Sequence, residues 1–322
     1  MQLFVDGLSD QADRYSTDVE LVLVDWNPPA DRPSLAEALV WPAGSRLQPV
    51  VVTVPAAVHR SLPHSDRLPF FQMIAKNVGI RRARAPFVLA TNIDILFSDE
   101  LFLYMRDSLR ADAMYRADRS DIVAPLDRRP PPTPAECRAL PVLRKHGPAG
   151  TTYPGGGAPP ARRLTGVTSL RDTSRVVTAV WDRLVLPKLH TSACGDFTLA
   201  SHEIWESLRG YPEWPMFSWQ LDGLPLYQAY AAGIEIVNLP EPLVAFHLEH
   251  SAGSGWTPEG SRHLFARLKK AGIPYLSTAE YRRHARAIVR AGRHVEPFNG
   301  QDWGMAPLEL AVTAPGPRAA TT

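Results

Sequence analysis

Cysteine is nearly absent. Cys137 and Cys194 are the only two in 322 residues, too few for a disulfide framework. They suit a reducing compartment, and a cytoplasmic protein is expected, with a single bridge between them left open. Lysine is equally scarce: Lys76, Lys145, Lys188, Lys269 and Lys270 are all there are, and scattered arginines supply the other positive charges. With a net charge of +2 there is no basic tract to hold a nucleic acid. No apolar run approaches the length of a membrane span, and no basic stretch followed by an apolar core marks a signal peptide. What remains is ordinary for a globular protein, at 45% hydrophobic and 21% charged residues. The length suits one large or two ordinary domains with a sizeable core. No internal repeat is visible.

Apolar periodicity divides the chain into alternating helices and strands. Residues 1–17 carry Met1, Phe4, Leu8, Ala12 and Tyr15 along one helical face. Glu20–Trp26 reads as a buried strand ending in Asp25, Pro33–Trp41 as a short helix, Pro49–Val54 as a strand and Phe70–Arg84 as a helix. Phe87–Ala90 is a further strand, and Ser98 is placed to cap a helix running to about Arg110. Ile122–Pro125 reads as a strand. Such alternation predicts a mostly parallel sheet. Residues 128–165, with RRPPPTP and TTYPGGGAPPARR, read as a mobile insertion. Strands are then expected at Phe197–Ser201, Ile234–Val237 and Leu243–Phe246. Helices are expected at His202–Leu208 and Leu221–Ala232, and near 259–271 and 278–291. The tail from 311 to 322 is expected to be disordered.

The densest chemistry lies between Lys76 and Asp94, KNVGIRRARAPFVLATNID. Asn92 and Asp94 follow a strand directly, and two residues apart in an extended segment they project to one side. Ligands of open α/β sheets bind outside the carboxyl ends of the strands. A carboxylate there suits a hard divalent cation that also takes phosphate oxygens. Later come Gly195-Asp196-Phe197, Trp219-Gln220-Leu221-Asp222, and the histidines His247 and His250.

In this order the motifs resemble a nucleotide-diphospho-sugar glycosyltransferase of the GT-A fold, in the broad family-2-like group, over roughly residues 1–255 apart from the insertion. The resemblance implies an α/β fold with a Rossmann-like sheet, a smaller acceptor-side half and C-terminal helices. It implies a nucleotide-sugar half at 1–127, an acceptor half at 166–258 and helices at 259–310. It implies Mn²⁺ or Mg²⁺, a nucleotide-sugar donor and a glycan or other hydroxyl acceptor. Asp94 matches the second acid of the family's Asp-x-Asp motif, in a metal or diphosphate role. Asn92 stands at the first acid, with one charge fewer. Asp25 matches a base- or ribose-binding position, and Lys76 and Asn77 match the helix over the nucleotide. Asp222 matches the general base of inverting members, Asp196 a donor- or acceptor-lining acid, and Trp219 can stack on a sugar face. His247 and His250 stand where many members supply a metal ligand; imidazole favours Mn or Zn over Mg.

Each residue also admits a plainer role. Asp94, Asn92 and Asp25 suit turns, Asp222 suits a helix's first turn, and the histidines can be core or surface residues. HLEH is not a zinc-protease motif, and Gly155–Gly157 lacks the Lys-Ser/Thr of a phosphate loop. A nucleotidyltransferase of related fold and a non-catalytic sugar-nucleotide-binding protein are the competing readings. The resemblance further implies a strand before the first helix, and this chain opens inside that helix. The expectation is therefore a chain that folds poorly or acts weakly unless another segment fills the gap.

Overall fold

The computed structural model describes residues 1–127, 129–154, 186–250 and 261–316, without the side chains of 261 and 262. Helix α1 (Gln2–Arg14) buries Leu3, Phe4, Val5, Leu8 and Ala12, the stripe that its sequence period predicts. It feeds β1 (Val19–Trp26), and after the one-turn α2 (Leu35–Ala38) the chain lays β2 (Leu47–Val54) parallel to β1, with Leu23 opposite Val51. Helix α3 (Ala56–Ser61) and helix α4 (Gln72–Arg82) follow. Leu21 and Leu23 share a core with Phe4 and Leu8 of α1, whereas Val22 and Val24 pack with Ile74 and Val78 of α4. Strand β1 is thus apolar on both faces, as expected of a strand buried between helix layers.

Strand β3 (Phe87–Thr91) opens a second sheet. Next come β4 (Ile95–Phe97) and α5 (Asp99–Asp107), which Ser98 caps by accepting from Leu101 N at 3.2 Å. Strand β5 (Ala113–Ile122) is the sheet's centre. Helix α6 (Pro134–Ala139), opened by a Thr133/Glu136 capping box, leads to β6 (Val142–Gly147) and β7 (Gly150–Thr152). Strand β8 (Phe197–Ser201) and helix α7 (His202–Leu208) precede helix α8 (Leu224–Ala232), which Gly233 ends at φ +84°. Strand β9 (Glu235–Leu248) follows. The second sheet runs β3-β8-β5-β6-β7, with β9 parallel to β5 and β4 antiparallel to β9. Helices α9 (Ser261–Lys270) and α10 (Thr278–Ala291) come next, and β10 (Ala311–Thr313) closes the β1–β2 sheet antiparallel to β2.

The protein is therefore mixed α/β, but the expectation of a mostly parallel sheet is corrected. Of eight pairings among the described residues, only β1–β2 and β5–β9 are parallel. Strand β5 ends at Ile122, where the expected strand began, because Arg116, Asp118, Arg119 and Asp121 mask its apolar period. The two short strands expected near 234–246 are one strand of 14 residues. Part of the supposed mobile insertion is structured: β6 pairs with β5 and β7 with β6, while Cys137 of α6 joins a small core with Ile122 and Phe246. The remainder of that insertion, 155–165, lies outside the described residues. The tail is not wholly irregular either, since β10 pairs with β2; 317–322 lie outside the described residues. Among the described residues no helix is long and apolar enough to cross a membrane.

Candidate functional site

A cavity of about 1440 Å³ runs along the β1 and β3 edges to their carboxyl ends. Nine of the ten residues singled out from sequence line it: Asp25, Lys76, Asn92, Asp94, Asp196, Trp219, Asp222, His247 and His250. The exception is Asn77.

The polypeptide places Asp94 by main-chain bonding. Residues 93 and 94 form a turn after β3, and the Asp94 carbonyl accepts from Leu248 N at 2.9 Å, pinning that turn to β9. Strand β9 also pairs His247 with Ile95 on one side and Asp121 on the other. Asp94 Oδ2 then lies 3.3 Å from His247 Nε2 and 2.9 Å from His250 Nε2. Ligand atoms about 2.1 Å from one shared cation stand roughly 3.0–3.5 Å apart, so this group has the spacing of a metal site. Asp94 Oδ1 is buried without a hydrogen-bond partner, which leaves acceptor capacity for a cation. Behind His247, Asp121 faces Nδ1 at 3.5 Å, the carboxylate–histidine arrangement that orients metal-binding imidazoles. Asp94, His247 and His250 can therefore hold a metal ion, and their donor set fits one.

Charge is tightly balanced here. Burial raises the Asp94 pKa, but hydrogen bonding and charge from His247, then His250, prevail and hold it at about 2. Burial disfavours a charged His247, yet Asp121 and Asp94 together raise it to about 9. A second group, Asp121, His247 and Glu249, has comparable spacing. Arg119 and Arg144 already hold the Asp121 carboxylate at 2.8 Å and 2.5 Å, so a cation there would meet two guanidiniums. That makes it the weaker metal site.

Across the cleft, Gly195 links two side chains that line it. Lys76 Nζ donates to Gly195 O, and Gly195 N donates to Asp222 Oδ2 at 2.7 Å. Burial raises the Asp222 pKa against the opposing influence of Cys194, Lys76 and the Gly195 amide, making its carboxylate a stronger base than a solvated one. Burial lowers Lys76, opposed by Asp196 and Asp222. A Cβ on Gly195 would lie 2.9 Å from Asp222 Oδ2, so a side chain here would displace that carboxylate. Trp219 stands edge-on to Phe265 with ring centroids 6.1 Å apart. Asp25, at the end of β1, accepts from Leu35 N at 2.9 Å and so also stabilises the start of α2.

Two expectations need correction. Asn92 and Asp94 do not act side by side, because the chain turns after β3 instead of staying extended. Asn92 accepts from Gln72 Nε2 at 3.1 Å and donates to Asp196, whereas Asp94 meets the histidines. Asp196 lines the cleft and is held there, its carboxylate receiving Asn92 and Arg119 and its carbonyl receiving Thr91 Oγ1 at 2.7 Å. Asn77 lies on the far side of α4 with no exposure, bonded to Tyr211 O at 2.8 Å, Glu213 Oε1 at 3.0 Å and Tyr211 N at 2.7 Å. Its role is to fasten α4 to the loop after α7, because consecutive helical residues diverge by about 100° and residue 77 faces that loop while residue 76 faces the cleft.

The sequence reading passed over Gln72, Arg119, Asp121, Arg144, His146 and Glu249. Gln72 bridges Ser218 Oγ, at 2.8 Å, to Asn92. A signal for four of them existed: Arg119/Asp121 and Arg144/His146 are two apart on strands, so each pair shares a face. Neither a scan against protein-family models nor a search of curated proteins gives a match to this chain.

Proposed function

We propose that this chain is a metal-assisted glycosyltransferase of GT-A type that moves a sugar from a nucleoside-diphosphate donor to a hydroxyl acceptor, with inversion. The observation that carries the reading is the gathering of Asp94, His247 and His250 at one wall of a cleft whose other wall presents Lys76 and Asp222. A divalent cation on Asp94, His247 and His250 would supply charge neutralisation for a leaving diphosphate; two imidazoles in the set favour Mn²⁺ over Mg²⁺. Asp25 and Lys76 line the donor side, and Asp222 takes the proton from the acceptor hydroxyl as that oxygen attacks the anomeric carbon. The raised basicity of Asp222 favours that role, and the Gly195 amide fixes which oxygen faces the cleft. Trp219, on the same cleft, offers a face for the sugar.

The test is product analysis with a panel of sugar nucleotides, Mn²⁺ and simple hydroxyl acceptors. Release of nucleoside diphosphate supports the transferase; release of pyrophosphate from a sugar phosphate and a nucleoside triphosphate assigns a nucleotidyltransferase instead. Binding with no turnover assigns a sugar-nucleotide-binding protein. In Asp222→Asn, turnover should fall by at least about 1000-fold while the donor still raises the melting temperature. Unchanged turnover would remove Asp222 from the chemistry.

A further inference from the structure

The net charge of +2 conceals an uneven distribution. Between His263 and His294, a stretch that takes in most of α9 and all of α10, eight arginines and lysines face a single acid, Glu280. The rest of the chain therefore holds more acids than bases. Glu280 is itself committed: it accepts from Ser277 N at 2.9 Å in the cap of α10 and pairs with Arg283 at 3.7 Å.

The two helices turn these charges outward. In α10, Ala285 and Ile288 are buried against the core. Arg283, Arg286 and Arg290 stand at i, i+3 and i+7, which puts them on one helical face, away from that core. Arg283 is 69% exposed, Arg290 is exposed, and Arg286 Nε is held along the stripe by Arg282 O at 3.2 Å. Arg293, exposed in the turn that follows, prolongs the stripe. In α9, Leu264 and Leu268 are buried, whereas Arg267, Lys269 and Lys270 are exposed. Both helices are fastened to the rim of the cleft. Phe265 of α9 meets Trp219 edge-on and stacks on Tyr275 with ring centroids 4.8 Å apart. Gln220 Nε2 donates to Thr278 Oγ1 of α10 at 3.4 Å, and Tyr281, one turn further along, lines the cleft. The basic helices thus adjoin the wall that carries Trp219 and Asp222.

We propose that α9 and α10 form a docking rim for a polyanionic saccharide, the acceptor of the reaction, whose hydroxyl end reaches Asp222 past Trp219. Its role as acceptor rests on the transferase reading; the attraction to a polyanion does not. Charge complementarity selects the partner. The stripe from Arg283 to Arg293 sets cations about 4.5–6 Å apart along about 15 Å, so it matches a chain of repeating anionic groups, where a compact diphosphate would meet only one or two of them. Guanidinium forks pair with carboxylate, sulfate or phosphate oxygens two at a time. Among the described residues neither helix exposes a large apolar or aromatic side chain. A membrane-surface helix inserts such side chains, and a single-stranded nucleic acid stacks its bases on them, so both are poorer partners for this rim.

Fluorescence anisotropy tests this without donor or metal, and so reads the rim independently of turnover. The probe is a labelled galacturonic acid octamer. A neutral glucan octamer, phosphatidylglycerol vesicles and a single-stranded DNA octamer are the comparators. The anionic octamer should bind and the neutral one should not, and affinity should fall at least about 10-fold between about 50 and 200 mM salt. Arg283→Glu/Arg290→Glu should weaken binding at least about 10-fold, and so should Arg267→Glu/Lys269→Glu/Lys270→Glu on the other helix. All five side chains are exposed, so the melting temperature should hold, and Arg60→Glu, the same charge change on α3, should leave binding intact. Binding that survives both sets of reversals, or that does not separate the anionic from the neutral octamer, would overturn the proposal. Tighter binding of vesicles or of DNA, lost in the same variants, would overturn it in favour of a membrane or a nucleic acid. No binding of the anionic octamer at the lower salt would overturn it and leave the transferase reading standing. Binding that follows these charges in a chain with no transferase activity would keep the surface and overturn the occupant's role as acceptor.

Discussion

At the scale of single residues, the site is a set of polar groups that hold one another. Asp196 gathers Asn92 and Arg119, Arg119 reaches Asp121, and Asp121 backs His247. Such a network fixes Asp94 and His250 where a solvated pair would sample many geometries. Chemically distinctive residues at strand ends were legible in sequence; which of them touch ligand and which only position others was not, because that depends on cross-strand neighbours. Asn77 shows the difference. Its motif looked functional, yet Asn77→Ala removes three buried hydrogen bonds and should cost about 3 kcal/mol in urea unfolding. A loss below the error of the measurement would show that the anchor is unnecessary. His190 predicts a pH effect. Burial, then the charges of Arg116 and His146, lower its pKa to about 3, and both ring nitrogens lie buried without partners. The unfolded chain takes up this proton below about pH 6.5 and the folded one does not until about pH 3, so its contribution to stability falls as pH falls through that window. Melting curves at pH 7 and pH 4 should therefore converge in His190→Gln relative to the parent chain; an unchanged difference would assign the acid loss to other groups.

At the scale of elements, local signals carried far where apolar period and capping agree, as in α1, β1, α4 and the Ser98-capped α5. They failed where polar residues are buried in a strand. In β5 Arg116 is wholly buried, its guanidinium bonded to the carbonyls of His190, Ser192 and Cys194, and no single-sequence pattern announces such a partner set. Helix α4 is the element on which both cleft and core depend. One face presents Lys76 to the cleft; another is clasped by the C-terminal segment, where Arg82 bonds the carbonyls of Gly304 at 2.7 Å and Met305 at 3.1 Å. Trp303, nearly fully buried, lies under Arg81 at 4.9 Å. Truncating a buried Trp costs about 3–5 kcal/mol, so Trp303→Ala should lower the melting temperature by roughly 10 °C. A shift within about 1 °C would mean that the clasp contributes nothing to α4.

At the scale of the whole molecule, two sheets meet at one cleft, which β1 of the first and β3 of the second both line. Sequence patterns could not show that division, because strand pairing is decided by partners far apart in the chain. They did indicate where the candidate site residues collect, since the carboxyl ends of strands follow from strand assignment alone. The proposed activity requires that collection to be a metal-dependent nucleotide site. The most direct measurement is the thermal shift of the chain with UDP, GDP, CDP or dTDP in the presence and absence of Mn²⁺. The prediction is that one nucleotide raises the melting temperature only when Mn²⁺ is present, and that Asp94→Ala abolishes the rise. A shift that is independent of metal, one that survives Asp94→Ala, or no shift with any nucleotide from a chain that melts cooperatively would contradict it.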